Sequence, residues 1–149
     1  MTPLGQLLLE REVRSSSRLA RTHPRCKVLT MSAVKFLCID DDVTVAQMIA
    51  DIVAYCRQEP IVLSDSFDVV NHLTDPNMKV VLTDYMMPKL DGLEVLTLVQ
   101  ERRPDVRRVL ITAAPHEALV REAFKTQLAQ LVIAKPPTIA DIKLAVAWL

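Results

Sequence analysis

The chain has 149 residues, of which 50% are hydrophobic and 24% charged, and its formal net charge at pH 7 is zero. This composition predicts a folded domain rather than a disordered chain, and it offers neither a broad basic surface for nucleic acid nor an apolar run near the roughly 18 residues that span a membrane. Three cysteines, an odd number, argue against a disulfide framework and favour a reduced, cytoplasmic protein.

The charge is divided unevenly along the chain. Residues 1–30 hold six Lys/Arg and two Asp/Glu, a net +4, whereas residues 31–149 hold 12 and 16, a net −4. The first part is rich in Arg and Ser and has little apolar periodicity. We therefore predict that residues 1–32 form a basic, disordered extension and residues 33–149 one folded domain. Two other interpretations stay open: the extension contacts an anionic partner, or translation starts at Met31.

From residue 34 onward, short apolar runs alternate with segments of helical periodicity. The apolar runs predict strands at 34–39, 60–64, 79–83, 107–113 and 131–134. The periodic segments predict helices at 43–58, 67–75, 91–103, 116–127 and 138–149. Strands that are apolar throughout are typical of a parallel sheet covered on both faces, and right-handed crossovers then give a doubly wound α/β fold.

Polar side chains follow four of the predicted strands. They are Asp40, Asp41 and Asp42 after the first strand, Asp84 after the third, Thr112 in the fourth and Lys135 after the fifth. Because ligands of such sheets bind beyond the carboxyl ends of the strands, we expect these groups to converge. Clustered carboxylates attract a cation, and an all-oxygen ligand set suits Mg²⁺. With an amine and a hydroxyl nearby, this pattern predicts a site for phosphoryl transfer, in which an aspartate can be the nucleophile.

These residues, in this order, resemble the receiver domain of two-component response regulators, of the stand-alone single-domain type. The resemblance covers residues 34–149 and depends on five motifs taken together. They are the pair Asp40-Asp41, then Asp84, the stretch MMPKLDG that follows Tyr85 from Met86 to Gly92, Thr112, and the pair Lys135-Pro136. It implies a flavodoxin-like (βα)5 fold with the five-stranded parallel order 2-1-3-4-5.

The resemblance also implies roles for the acidic residues. Asp84 would accept the phosphoryl group. Asp41 would bind Mg²⁺ directly, and Asp40 would act through a water molecule or from the surroundings of the ion. The main-chain carbonyl of Met86 would complete the metal site, so that its side chain has no part in this role.

The remaining motif residues would surround the phosphoryl group. Thr112 would bond its oxygens and Lys135 would pair with its charge. The Lys135-Pro136 peptide would be cis, and Pro88 and Gly92 would shape the loop that leads into the third helix. Asp84, Thr112 and Lys135 are thus the predicted catalytic residues.

Three positions depart from the family pattern. Val132 stands where an aromatic residue is common, Leu128 stands where a glycine often follows the fourth helix, and Pro137 stands where an aromatic is frequent. The departures lie on the fourth helix, the fifth strand and the fifth helix, the usual output face of the family. We therefore expect a non-standard partner surface there.

The predicted function is a phosphorelay switch rather than an enzyme, with only self-catalysed phosphoryl acceptance and autodephosphorylation. The implied phosphoryl donor is a sensor histidine kinase or a histidine phosphotransfer protein. The output would be a protein target on the face made by the fourth helix, fifth strand and fifth helix, or a homodimer, with no direct contact to nucleic acid or membrane.

Two alternatives remain. The stretch FLCIDDDVT also resembles the haloacid-dehalogenase phosphatases, with Asp40 as nucleophile, but this interpretation needs a second acidic pair after Lys135, where only Asp141 follows, and leaves Asp84 unexplained. The other alternative is a binding module that kept the motif residues but is never phosphorylated.

Overall fold

The computed structural model describes residues 33–147 and residue 149. The predicted basic extension at residues 1–32 therefore lies outside the described residues. The strands are β1 (Lys35–Ile39), β2 (Glu59–Leu63), β3 (Met78–Asp84), β4 (Arg107–Thr112) and β5 (Leu131–Ala134). The helices are α1 (Val43–Tyr55), α2 (Val69–His72, preceded by a 3₁₀ turn at Ser66–Asp68), α3 (Gly92–Arg102), α4 (Ala118–Lys125) and α5 (Ile139–Val146).

The five strands form one parallel sheet in the order β2-β1-β3-β4-β5. This arrangement confirms the predicted flavodoxin-like, doubly wound fold. The strands are apolar throughout because helices cover both faces of the sheet. All five carboxyl ends consequently lie on one edge, where the chain can bring side chains from distant positions together.

The core consists of two layers, one on each face of the sheet. One layer packs residues of α2, α3 and α4 against the sheet, including Val69, Leu96 and Val120. The other packs α1 and α5, including Ile49 and Ile142. Successive residues of a strand alternate between the two layers, which anchors the strands in register.

Side chains of aspartate and threonine cap the start of α1, α3 and α5. Asp42 accepts hydrogen bonds from main-chain amides at the start of α1. Asp91 with Glu94, and Thr138 with Asp141, form reciprocal capping boxes at α3 and α5. These contacts satisfy amides that have no partner within the helix, and they fix where each helix leaves the carboxyl edge of the sheet.

All five described helices end earlier than their apolar periodicity indicated, and the backbone shows why in two of them. Helix α1 ends at Tyr55 rather than at residue 58, and α4 ends at Lys125 rather than at 127. Arg57 and Gln127 take left-handed backbone conformations, with φ of 60° and 62°, which a continuing helix excludes. Arg108 donates to the carbonyls of Gln127 and Leu128, so side-chain hydrogen bonds support the turn where the family often has glycine.

Among the residues that the structure describes, none of the helices is both long and apolar enough to cross a bilayer.

Candidate functional site

The carboxyl edge of the sheet gathers the polar residues that the sequence singled out. Asp40 follows β1 and is 2% exposed, and Asp84 ends β3 and is 6% exposed. Thr112 ends β4 and is buried, while Lys135 follows β5. Each lies at the end of a strand whose apolar side chains hold it in the sheet, so the core itself fixes the spacing of these groups.

Three carboxylates form a cluster at this edge. Asp40, Asp41 and Asp84 each present one oxygen within 4.8 Å of the others. Asp40 and Asp84 are buried and Asp41 is exposed. Like charges this close repel unless a proton or a cation joins them, and oxygen donors alone are the ligands that Mg²⁺ prefers.

Lys135 bridges the two buried carboxylates. Its Nζ donates to Asp40 Oδ2 at 2.7 Å and lies 2.8 Å from Asp84 Oδ1. Its peptide bond to Pro136 is cis, as the resemblance implies. One ammonium thus faces two carboxylates, and this group of three side chains keeps a negative excess, to which Asp41 adds.

Burial and pairing shift the pKa values in this group. Burial raises the pKa of the Asp84 carboxyl; the hydrogen bond and charge of Lys135 oppose this rise, and the charge of Asp40 adds to it. Burial alone would lower the pKa of Lys135, but its hydrogen bonds and charge attraction to Asp40 and Asp84 together outweigh burial and raise it. The lysine is therefore a permanent cation at neutral pH.

The two oxygens of Asp40 are already engaged. Oδ1 accepts from the main-chain amide of Asp42 at 3.0 Å, and Oδ2 accepts from Lys135. Asp40 is therefore held in one orientation by its own loop, whereas the exposed Asp41 is open to water. A carboxylate held in this way is better suited to positioning its neighbours than to attacking a substrate.

Thr112 and Met86 lie at the same edge. The Thr112 hydroxyl oxygen accepts a hydrogen bond from the Ala114 amide at 3.0 Å, so it is held by the loop that follows β4. The Met86 side chain is 70% exposed, and the expected role of its main-chain carbonyl as a metal ligand stays a prediction.

Gly92 is required by close packing beneath Asp84. A Cβ atom at this position would lie 2.3 Å from the Asp84 carbonyl oxygen and 2.9 Å from Tyr85 Cα. The Gly92 amide donates to the Tyr85 carbonyl at 2.9 Å. The start of α3 is thus packed directly against the main chain that carries Asp84, which gives the predicted loop-shaping role a steric reason.

Sequence reasoning missed the contacts that join the loops after β2 and β3. Lys89 pairs with Asp65 and lies over the Phe67 ring, 5.4 Å from its centroid. The Ser66 hydroxyl accepts from the Leu90 amide at 3.0 Å. Lys89 and Leu90 belong to the MMPKLDG stretch, but their partners Asp65, Ser66 and Phe67 lie more than 20 residues earlier and carry no motif. Only the folded arrangement of the two loops therefore reveals these contacts.

The comparisons with known proteins agree on the family. The model of the response regulator receiver domain matches residues 36–147. This chain belongs to that family. The probable chemotaxis protein CheY of Rhizobium etli is 30% identical over 117 residues, covering 76% of this chain and 89% of that protein. The chemotaxis protein CheY of Listeria monocytogenes is 26% identical over 93 residues, or 62% of this chain and 78% of its own.

Solved structures share the receiver fold. A response regulator receiver domain protein from Clostridium thermocellum has a TM-score of 0.67 and 26% identity, covering 76% of this chain and 91% of that one. The response regulator TrrA of Thermotoga maritima, solved in complex with Mg²⁺-BeF, has a TM-score of 0.66 over 77% of this chain and 97% of its own. At 19% identity, TrrA shows the likeness of fold alone.

Membership in this family decides the broad class of function. Receiver domains are signalling switches rather than classical enzymes, and they work with histidine kinases and downstream targets in two-component systems. The haloacid-dehalogenase interpretation is not favoured by these comparisons. Its nucleophile would be Asp40, whose two oxygens are engaged by Asp42 and Lys135.

Proposed function

We propose that this receiver accepts a phosphoryl group on Asp84 and uses it to switch a protein-binding face. The observation that carries the proposal is the position of the Asp84 carboxylate: buried at the end of β3, 2.8 Å from the Lys135 ammonium and clustered with Asp40 and Asp41. The Asp84 carboxylate therefore has both a positive charge and negative charges beside it at the carboxyl edge of the sheet.

The proposed chemistry is nucleophilic attack by a carboxylate oxygen of Asp84 on phosphorus. The donor is the phosphohistidine of a kinase or phosphotransfer protein; its phosphorus–nitrogen bond breaks, the imidazole takes up a proton, and Asp84 becomes an acyl phosphate. Lys135 holds its positive charge beside the oxygens that become more negative. Autodephosphorylation by water would restore the carboxylate.

The cluster also fits a divalent cation. Asp41, Asp84 and the main-chain carbonyl of Met86 would hold Mg²⁺, and Asp40 would orient these ligands without a direct bond to the ion. The proposal is supported by the carboxylate oxygens of Asp40, Asp41 and Asp84, which lie within 4.8 Å of one another, because Mg²⁺ prefers oxygen ligands. When bound, the ion would neutralise charge on the phosphoryl oxygens. TrrA was crystallised with Mg²⁺-BeF, which supports the same use of the cluster here.

The switch would begin at Thr112. Its hydroxyl oxygen now accepts from the Ala114 amide, and a phosphoryl group on Asp84 adds strong acceptors for its proton. If the hydroxyl turns towards those oxygens, the loop between β4 and α4 loses a hydrogen bond and can repack. The face made by α4, β5 and α5 would then present its protein target, or a second copy of the chain, with a changed surface.

Helix α1 supplies the proposed docking surface for the phosphoryl donor. A groove of about 700 Å³ runs between α1 and the start of α5. Val43, Met48, Tyr55 and Ile139 line it and are all exposed. Apolar groups in contact with water favour burial by a partner. Because Val43 directly follows the acidic loop, a helix seated there would place its histidine near Asp84.

The test is phosphorylation by a small-molecule acyl phosphate with Mg²⁺, followed by intact-mass measurement. We expect one phosphoryl group on the wild-type protein, none on Asp84→Asn, and normal incorporation by the matched control Asp51→Asn, which changes an exposed carboxylate on α1. Omission of Mg²⁺ should strongly slow incorporation.

Two results would oppose the proposal. A wild-type protein without any mass gain would favour the non-phosphorylated binding module. Continuous release of phosphate that survives Asp84→Asn and disappears in Asp40→Asn would favour the phosphatase.

A further inference from the structure

A recess beside the carboxylate cluster lies between the loop that follows β2 and the loop that follows β3. Its volume is about 200 Å³. Its lining includes Asp41 from the loop after β1, Asp65 and Ser66 from the loop after β2, and Met87 and Lys89 from the loop after β3. Asp41 also belongs to the carboxylate cluster, so the contacts that shape the recess lie next to the candidate metal ligands.

The loop at residues 86–89 has few hydrogen bonds of its own. In the part of the chain that the structure describes, its amides donate no hydrogen bond, and the first anchored amide is that of Leu90. Met87 and Leu90 pack against the core layer of α2, α3 and α4, but apolar contact is not directional. The main-chain groups of this loop are therefore fixed largely by polar contacts from outside it.

The loop after β2 supplies these polar contacts. The hydroxyl of the buried Ser66 accepts from the Leu90 amide at 3.0 Å. Asp65 Oδ2 accepts from Lys89 Nζ, and Asp65 Oδ1 accepts from the Phe67 amide at 3.0 Å. Lys89 Nζ also lies 5.4 Å from the centroid of the Phe67 ring. Because Asp65 is held by its own loop while it binds Lys89, the ion pair joins two loops and not only two side chains.

We propose that Asp65, Ser66 and Lys89 are positioning residues for the metal site. They join the loop after β2 to the loop after β3 and so hold the main-chain carbonyl of Met86 where it would meet Mg²⁺. A loop that is ordered in advance loses little further conformational entropy when a ligand binds. The inference deepens the proposed function and rests on the Mg²⁺ ligand set proposed there.

Charge and positioning predict different effects of the same substitution. The hydrogen bond from Lys89 lowers the pKa of Asp65, so both groups are charged at neutral pH. By charge alone, Lys89→Met removes a cation beside an acidic cluster and should strengthen Mg²⁺ binding, whereas Asp65→Asn removes an anion and should weaken it. If the two side chains position the loop, both substitutions weaken binding, and so does Ser66→Ala, which changes no charge.

The experiment measures the Mg²⁺ affinity of the full chain by titration with MgCl₂, followed by backbone amide NMR. We expect the dissociation constant to rise at least about threefold in Lys89→Met and in Asp65→Asn, and by a similar factor in Ser66→Ala. The double variant Asp65→Asn/Lys89→Met should bind no more weakly than the weaker single variant, because both changes remove the same ion pair. The matched control Asp68→Asn, at an exposed carboxylate without a capping hydrogen bond, should bind Mg²⁺ as the wild type does.

Amide hydrogen exchange tests the contact between the loops without the metal. The Leu90 amide should exchange at least about threefold faster in Ser66→Ala, because it loses its acceptor, and it should also exchange faster in Lys89→Met. Exchange of the core amides of β3 should stay as in the wild type, which separates a local loosening of the loop from a loss of global stability.

Three outcomes would overturn the inference: tighter Mg²⁺ binding by Lys89→Met, unchanged affinity in Ser66→Ala, or a wild-type protein that binds no Mg²⁺. Each is distinguishable from failure of the phosphoryl acceptor. If the wild type gained no phosphoryl group while Lys89→Met and Ser66→Ala still bound Mg²⁺ more weakly, only the acceptor would be refuted. Normal phosphoryl incorporation together with Mg²⁺ affinities that follow charge would refute only the positioning residues.

Discussion

The two edges of the sheet use charge in opposite ways. At the amino edge, Arg103 closes a loop by donating to main-chain carbonyls, and Lys35 pairs with Asp75 at 2.6 Å. At the carboxyl edge, one ammonium, that of Lys135, is shared by two buried carboxylates, and the exposed Asp41 adds a third. Polar groups at the first edge stabilise the fold, while those at the second retain an excess of negative charge that can be used for chemistry.

The largest effect on stability is expected from the amino edge. Arg103 donates to the carbonyls of Leu73, Asp75 and Met78. Arg103→Ala removes the guanidinium hydrogen bonds from all three carbonyls, of which only that of Asp75 is known to keep another donor, the Met78 amide. The free energy of unfolding should therefore fall by about 2–4 kcal/mol in denaturant titrations. Phosphoryl incorporation under native conditions should persist. Arg103→Lys, which keeps the charge but not the fork of donors, should recover only part of the loss. If Arg103→Ala left the free energy of unfolding unchanged, the claim that polar groups at the amino edge stabilise the fold would be wrong.

A smaller loss is expected where the carboxyl edge meets α3. Gly92→Ala places a methyl group against the Asp84 carbonyl, Tyr85 and Leu110, an overpacking that should cost about 1–3 kcal/mol. Unlike a change at Arg103, it should also slow phosphoryl incorporation, because the main chain of Asp84 must shift. Gln100→Ala, at an exposed position of the same helix, serves as the control. If Gly92→Ala destabilised the protein but left phosphoryl incorporation unchanged, packing at the carboxyl edge would affect stability alone, as at the amino edge.

The smallest effects should differ in sign between the edges. The Lys35 hydrogen bond, with that of the Asn77 amide, lowers the pKa of Asp75 from 3.8. Its stabilisation is therefore present above pH 3.8 and is lost as pH falls through the folded pKa. Burial raises the pKa of Asp84 from the same value, so its ionised form opposes folding above pH 3.8.

Asp75→Asn should accordingly lower the free energy of unfolding at neutral pH, and Asp84→Asn should raise it by up to about 1 kcal/mol. Both differences should disappear in acid. Because the pKa of Asp75 is lowered below its ordinary value, unfolding should be measured from about pH 1 to about pH 7, the range over which such a carboxylate loses its contribution. Two variants that shift stability in the same direction would contradict the contrast.

The fold was predictable because each strand carries its own signal. The run at 131–134 predicts β5 with the bounds observed. A short apolar segment of this length, bounded by polar residues, is typical of a buried strand. The second helix was predicted at 67–75, but the structure has a 3₁₀ turn at Ser66–Asp68 and one helical turn at Val69–His72. The Asp65 side chain accepts from the Phe67 amide and so begins the segment as a tight turn instead of an α-helix. Apolar periodicity does not indicate such a side-chain hydrogen bond.

The candidate site was predictable in its members but not in its internal contacts. Strand ends predicted that Asp40, Asp84 and Lys135 would converge, and they lie together. The hydrogen bond between Thr112 and Ala114 and the engagement of both Asp40 oxygens depend on loop conformation. Likewise, the carbonyls that Arg103 reaches depend on how the loop between α2 and β3 meets the loop between α3 and β4, and sequence spacing does not contain that information.

The main chain that carries Asp84 is closely packed on one side and less constrained on the other. On the α3 side, the Asp84 and Tyr85 main chain lies against Gly92 with no room for a methyl group. On the other side, Thr112 is held by a hydrogen bond to Ala114, ahead of exposed residues. The main chain that carries Asp84 therefore has no room to shift towards α3. If a group added to Asp84 requires the main chain to adjust, we expect the adjustment on the side of Thr112 and the loop that leads to α4.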